Sequence, residues 1–141
     1  MPFIEWTKDF VTGIEEVDRQ HRKLVNLTNE LYESIRKKEV EEVIDSILKE
    51  LFNYARYHFK TEERLMEKYD YPEFEFHKKE HDKFKEKVKE FLKKRSSLKE
   101  LEKEKFTIEI MKFLKDWLIK HMLGTDRRYV PFFRAKGLTT Q

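Results

Sequence analysis

The five histidines of this 141-residue chain fall into four groups, three of them with a second ligand-type residue nearby. His21 stands alone, His58 precedes Glu62 by four residues, His77 precedes His81 by four, and His121 precedes Asp126 by five. Positions i and i+4 share one face of an α-helix, so His58 with Glu62 and His77 with His81 can each present two donors to one point. Imidazole with carboxylate is the donor set of a first-row transition metal. The chain has no cysteine, which argues against an iron–sulfur cluster or a thiolate zinc site.

Each group has a plainer reading by itself. His58 and Glu62 could be a surface pair in a Glu-rich helix, His21 a hydrogen-bonded core residue, and His77 with His81 a solvated pair. Together they fall on the apolar seams of four helices, and burying five imidazoles and two carboxylates without a compensating partner is severely destabilising. A metal supplies that partner. Seven ligands exceed what one ion takes but suit two ions bridged by Glu62 and Asp126. Two six-coordinate ions have about twelve positions. Five imidazoles, two bridging carboxylates and one solvent bridge leave one position empty, on whichever ion has fewer histidines. Oxygen-activating di-iron bundles pair four carboxylates with two histidines and carry Glu-x-x-His, which this chain lacks. A histidine-rich pair is better suited to holding oxygen than to cleaving it.

Four helices must position these residues. An irregular arm of about seventeen residues ends near Gly13, with Asp18 as the expected N-cap. Helix A, Arg19 to Lys37, points His21, Leu24, Thr28, Leu31 and Ile35 inward. Helix B, Val40 to Tyr69, carries Ile44, Leu48, Leu51, Ala55, His58, Glu62, Leu65 and Tyr69 on its seam and stops at Asp70-Tyr71-Pro72. Helix C starts near Glu73, presents His77, His81, Phe84, Val88 and Phe91 or Leu92, and breaks at Ser96-Ser97. Helix D runs from Lys99 or Lys103 to Val130, where Pro131 is expected to end it, and its seam is Met111, Leu114, Leu118 and His121. A regular helix would put the next inward residue at 125, so a π-bulge near Gly124 is expected to swing Asp126 inward. Short connections predict an all-α, antiparallel up-down-up-down four-helix bundle with an N-terminal arm. One domain over 1–141 is expected, divided into arm 1–17, bundle 18–130 and tail 131–141.

Composition agrees with this reading. Charged residues make up 42% of the chain, with three glycines and three prolines, which favours long helices with charged outer faces over sheet. The net charge of +3 comes from 31 basic and 28 acidic residues interleaved throughout, unlike a nucleic-acid stripe. The start lacks a secretory pattern and no run has the length of a membrane span, so a cytoplasmic protein with neither nucleic acid nor membrane as partner is expected. The Lys and Glu richness resembles hyperthermophile usage.

Val17-Asp18-Arg19-Gln20-His21-Arg22-Lys23-Leu24, then His58-Phe59-Lys60-Thr61-Glu62-Glu63, Tyr71-Pro72 and His77-x-x-x-His81, and finally Trp117-Leu118-Ile119-Lys120-His121 with Asp126 and Tyr129, resemble the motifs of the hemerythrin family. The likeness is to its single-domain bacterial members and covers nearly the whole chain. It implies two non-haem iron ions with an oxo or hydroxo bridge. His77, His81 and His121 would ligate one iron, His21 and His58 the other, and Glu62 and Asp126 would bridge. It further implies reversible dioxygen binding for storage, delivery or carriage rather than catalysis, with the oxygen held as hydroperoxide on the two-histidine iron. Leu118 and Trp117 are the ligand-pocket candidates. The resemblance makes Leu118 a cover over the bound ligand, with core packing as its plainer role, and Trp117 reads as core. Alternatives are an enzyme or scavenger acting on oxygen, peroxide or nitric oxide, and a sensor working through a separate partner. Small anions and an oxygen-consuming enzyme are further candidate partners, and a bundle with an incidental zinc site is the simplest alternative.

Overall fold

The computed structural model describes residues 3–139, and among them only helices and their connections occur. An irregular arm containing one 3-10 turn, Lys8–Phe10, leads into α1 (Glu15–Arg36), followed by α2 (Val40–Lys68) and α3 (Phe74–Arg95). A 3-10 turn at Glu100–Glu102 opens a rod made of α4 (Lys103–Trp117), a π-helical stretch (Leu118–Thr125) and α5 (Asp126–Ala135). The expected antiparallel four-helix bundle is the observed architecture, with α1 packed against α2 and α4, and α2 against α3. Between α3 and α4 the contact is aromatic, Phe84 with Trp117 at 4.7 Å and Phe91 with Phe113 at 5.7 Å between ring centres. Large rings of this kind hold two helix backbones further apart than aliphatic packing does.

The turns follow from local chemistry. Lys38 and Asp70 adopt left-handed backbone, φ 59° and 56°, just after α1 and α2. There the amides of Glu39 and Tyr71 reach back to the carbonyls of Ser34 and Met66 at 2.8 Å each, satisfying helix ends that would otherwise be orphaned. Asp70, with Pro72 behind it, therefore stops α2 where the sequence predicts.

Two expectations at the ends are corrected. Asp18 does not cap a helix beginning at Arg19, because α1 already starts at Glu15. Its carboxylate instead accepts hydrogen bonds from the Thr12 amide (2.7 Å), the Thr12 hydroxyl (2.8 Å) and the Gly13 amide (3.1 Å), tying down the arm. Gly13, at φ 88°, suits that bend, since a side chain there would be strained. Pro131 does not end the last helix, which continues to Ala135. The proline lies on the solvent side, and the hydrogen bond it cannot donate is offset by burial of Tyr129, Val130 and Phe133 within one turn of it.

Two apolar clusters occupy the interior. The larger contains Leu24, Ala55, Phe59, Phe84, Leu118 and Met122; the smaller contains Val17, Met66, Tyr71, Tyr129, Val130 and Phe133. Every helix crosses from one to the other, and on each the candidate ligands occupy the crossing. His21 lies between Val17 and Leu24, and His58 and Glu62 precede Met66. On α3, His77 and His81 lie between Phe74, packed against the smaller cluster, and Phe84 in the larger; Asp126 lies between Met122 and Tyr129. The polar band is thus sealed at both ends by hydrocarbon. Among the described residues no helix is long and apolar enough to cross a membrane.

Candidate metal centre

His21, His58, Glu62, His77, His81, His121 and Asp126 are each 1% exposed or less. They meet in the band between the two apolar clusters. Around Asp126, His77 Nε2 lies 2.8 Å and His121 Nε2 2.9 Å from Oδ1, and His21 Nε2 lies 3.0 Å from Oδ2. Around Glu62, the Nε2 atoms of His58 and His81 each lie 3.1 Å from Oε1. Two sets of donors lie within 4.8 Å of one another: Glu62, His77, His81, His121 and Asp126, and His21, His58, Glu62 and Asp126. The sets share both carboxylates and divide the imidazoles three to two.

Inward-facing atoms of this group are left without hydrogen-bond partners. They are Nε2 of all five histidines, Oε1 of Glu62 and both oxygens of Asp126. Leaving that many buried polar atoms unsatisfied costs about 1–3 kcal/mol apiece. Cations between them would satisfy all at once, so the residues fit a pair of metal ions.

Asp126 reaches the group because the helix is under-wound before it. The π-helical stretch of eight residues, longer than the single-turn bulge expected near Gly124, adds the extra residue between His121 and Asp126. A side chain at Gly124 would meet no obstacle there. A β-carbon at that position would have only the Ile119 carbonyl oxygen within range, at 4.0 Å.

An outer layer orients the imidazoles. His58 Nδ1 donates to Gln20 Oε1 at 2.7 Å, His81 Nδ1 to Glu63 at 2.8 Å, and His121 Nδ1 to Glu80 at 2.6 Å. Donation from Nδ1 leaves Nε2 as the lone-pair nitrogen facing the centre. The Gln20 amide is itself oriented by donating to Thr61 Oγ1 at 3.2 Å. The Tyr129 hydroxyl donates to Glu62 Oε2 at 2.5 Å. Four imidazoles also stack on aromatic rings: His81 on Phe59 and His121 on Trp117, both at 3.9 Å, His58 on Tyr54 at 4.9 Å, and His77 on Tyr129 at 5.6 Å. Trp117, expected in the core, is half-buried and serves as the platform under His121. Leu118, one turn before His121, is fully buried.

The sequence reading assigned no role to Gln20, Glu63, Glu80 or Tyr129. A signal for three of them was present, because each is a polar residue immediately beside a candidate ligand. One residue along a helix is a rotation of about 100°, which aims the neighbour at the next helix.

Without metal, protons on the imidazoles balance the two buried carboxylates. Burial alone would lower His77, but Asp126 and Glu62 hold it up at about 10. Burial of His121 is likewise outweighed by Asp126 and Glu80, which raise it to about 9. His21 is raised by Asp126 against its own burial, whereas burial prevails at His58 and lowers it. Burial would raise Glu62 and Asp126, but the surrounding imidazoles hold both well below the usual carboxylate range.

Comparison with known proteins agrees with this geometry. Residues 12–133 match the family model described as the hemerythrin HHE cation binding domain. A bacteriohemerythrin of Clostridium acetobutylicum is 33% identical over 131 residues, covering 89% of this chain and 97% of its own. A hemerythrin-like protein of Naegleria gruberi is 34% identical over 128 residues, covering 91% of each. A solved crystal structure of a hemerythrin variant superposes with a TM-score of 0.77 at 29% identity, covering 93% of this chain and 97% of that one. A match over most of the chain, in a bundle whose buried band suits two cations, means that this protein belongs to the hemerythrin family of di-iron oxygen-binding proteins.

Proposed function

We propose that this chain binds dioxygen reversibly and does not activate it. In this reading His77, His81 and His121 hold one iron, His21 and His58 hold the other, and Glu62 and Asp126 bridge the two. The observation that carries it is the unequal division of imidazoles between two donor sets that share both carboxylates. With six-coordinate ions, that inequality leaves the open position at the His21 and His58 end. When bound, the iron pair supplies this position and the electrons that dioxygen takes up and returns.

The protein's own contribution favours return over reaction. Glu63 and Glu80, the nearest additional acids, are engaged with imidazole Nδ1 atoms and offer no further donors to the metals. Neutral imidazoles therefore outnumber carboxylates five to two, a set that favours the ferrous state over high-valent iron. Leu118 and the apolar clusters above and below exclude bulk water from the band. A dry pocket disfavours uncompensated charge, and so opposes loss of the ligand as an anion.

The test is an optical spectrum of anaerobically reduced, iron-loaded protein, recorded before air, after air and after oxygen is removed. Iron content should be about two per chain. A visible charge-transfer band that appears with air and vanishes on deoxygenation is the expected result. One-way passage to a ferric spectrum would overturn reversible binding and move the chain toward an enzyme or scavenger of oxygen.

A further inference from the structure

Outside the metal centre, α2 and α3 enclose a cleft of about 390 Å³ floored by Phe52, Ala55 and Val88 and rimmed by Arg56, Lys60, Lys85 and Lys89. Arg56 and Lys60 are one turn apart on α2, and Lys85 and Lys89 one turn apart on α3, so two basic edges flank one apolar floor. Some cations on this surface are paired, among them Lys78 with Asp82 at 3.8 Å, Arg95 with Asp45 at 2.8 Å, and Lys103 with Glu41 at 2.8 Å. Around the cleft, Arg56, Lys60 and Lys89 form no ion pair among the described residues, and Lys85 has only Asp82 at 3.9 Å. One acid lines the cleft, Glu63, and its carboxylate is engaged with His81 Nδ1 at 2.8 Å. Phe52 remains 36% exposed beside these charges.

We propose that this cleft binds a small amphipathic organic anion. An aryl or alkyl chain would cover Phe52, Ala55 and Val88, and a carboxylate, sulfonate or phosphate would lie between Arg56 and Lys89. The volume falls in the range of about 300–1,000 Å³ typical of small-molecule sites. A protein partner fits less well, because a stable interface buries about 800 Å² on each side and Phe52 is the one exposed large apolar side chain the cleft contains. The site borders the metal centre through Glu63, yet it does not depend on what the metals bind.

The experiment is a fluorescence titration of metal-loaded, full-length protein with anilinonaphthalene sulfonate. Competition follows from octanoate, from uncharged octanamide and from phosphatidylglycerol vesicles. Saturation at one probe per chain, displaced by octanoate and not by octanamide, is expected. Arg56→Glu with Lys89→Glu should weaken both anions by about tenfold or more, leaving metal content and melting temperature unchanged. If that double reversal lowers the melting temperature, Arg56→Gln with Lys89→Gln makes the same comparison, with an expected loss of about threefold. Undiminished affinity in the charge variants, equal displacement by octanamide, absence of saturable binding, or binding to vesicles alone would each overturn the proposal.

Discussion

At the scale of single residues, the two nitrogens of each imidazole have different work. For His58, His81 and His121, Nδ1 is engaged by a named acceptor and Nε2 faces the centre. His77 Nδ1 has no hydrogen-bond partner, and the ring is held by stacking on Tyr129. Replacing His77 with Ala therefore removes a donor without breaking an outer-layer hydrogen bond, and metal analysis of the purified variant should show loss of iron. Leu118 makes a contrasting case. Leu118→Ala should cost about 2–5 kcal/mol of stability, keep its iron and shorten the life of the oxygen adduct, measured by the decay of its visible band. An adduct of unchanged lifetime would assign Leu118 to packing alone. The ligand types and their spacing were legible in the sequence because histidine is scarce here and every one of the five is used. The stacking role of Trp117 was not legible, since an aromatic at a helical spacing reads as core whichever ring it faces.

At the scale of elements, one rule recurs around the bundle. The polar neighbour of a ligand on one helix orients a ligand on the next: Gln20 on α1 serves His58 on α2, Glu63 on α2 serves His81 on α3, and Glu80 on α3 serves His121 in the π-helical stretch. Conversion of Glu80 to Gln keeps the hydrogen bond but removes its charge. Metal affinity should fall by about 10–100-fold, read by competition with a chelator, while helicity stays at the parent value. The π-helical stretch was legible as a register problem, because Asp126 comes one residue late for a regular helix. Its length was not, since the eight under-wound residues include Leu118 and Met122, buried among neighbours distant in sequence that spacing along one helix does not report. Gly124 has ordinary backbone and open space where a β-carbon would go. Gly124→Ala should thus retain metal and raise stability by about 0.4–1 kcal/mol. A thermal melt showing marked destabilisation would mean that the under-wound stretch needs the glycine.

For the whole molecule, metal and fold are coupled, and pH reveals the coupling. In metal-free protein, His77 at about 10 and His121 at about 9 lie above the unfolded value of about 6.5. Their contribution to stability is complete below about pH 6.5 and is lost as pH rises through about 9 to about 10. Glu62 and Asp126, held low, contribute above the usual carboxylate range, and that contribution disappears as acid protonates them. The metal-loaded protein has the opposite alkaline behaviour, because its imidazoles must be deprotonated to bind. The melting temperature of apo-protein should fall between about pH 6.5 and 10 while that of the loaded protein holds, and metal uptake at neutral pH should release the protons of His77 and His121. Equal melting curves with and without metal would count against a coupled buried centre. What the sequence by itself determined is the helical periodicity, the four ligand groups and their place on apolar seams, because these are local properties of spacing along one chain. What the tertiary structure decided is how close the donors of the four groups come to one another, which outer residue orients which ring, and which aromatic ring of another helix His77 and His81 each stack on. Those relations join atoms on different helices, such as Tyr129 and Glu62, 67 residues apart in the chain, and only the packed bundle brings them within hydrogen-bonding distance.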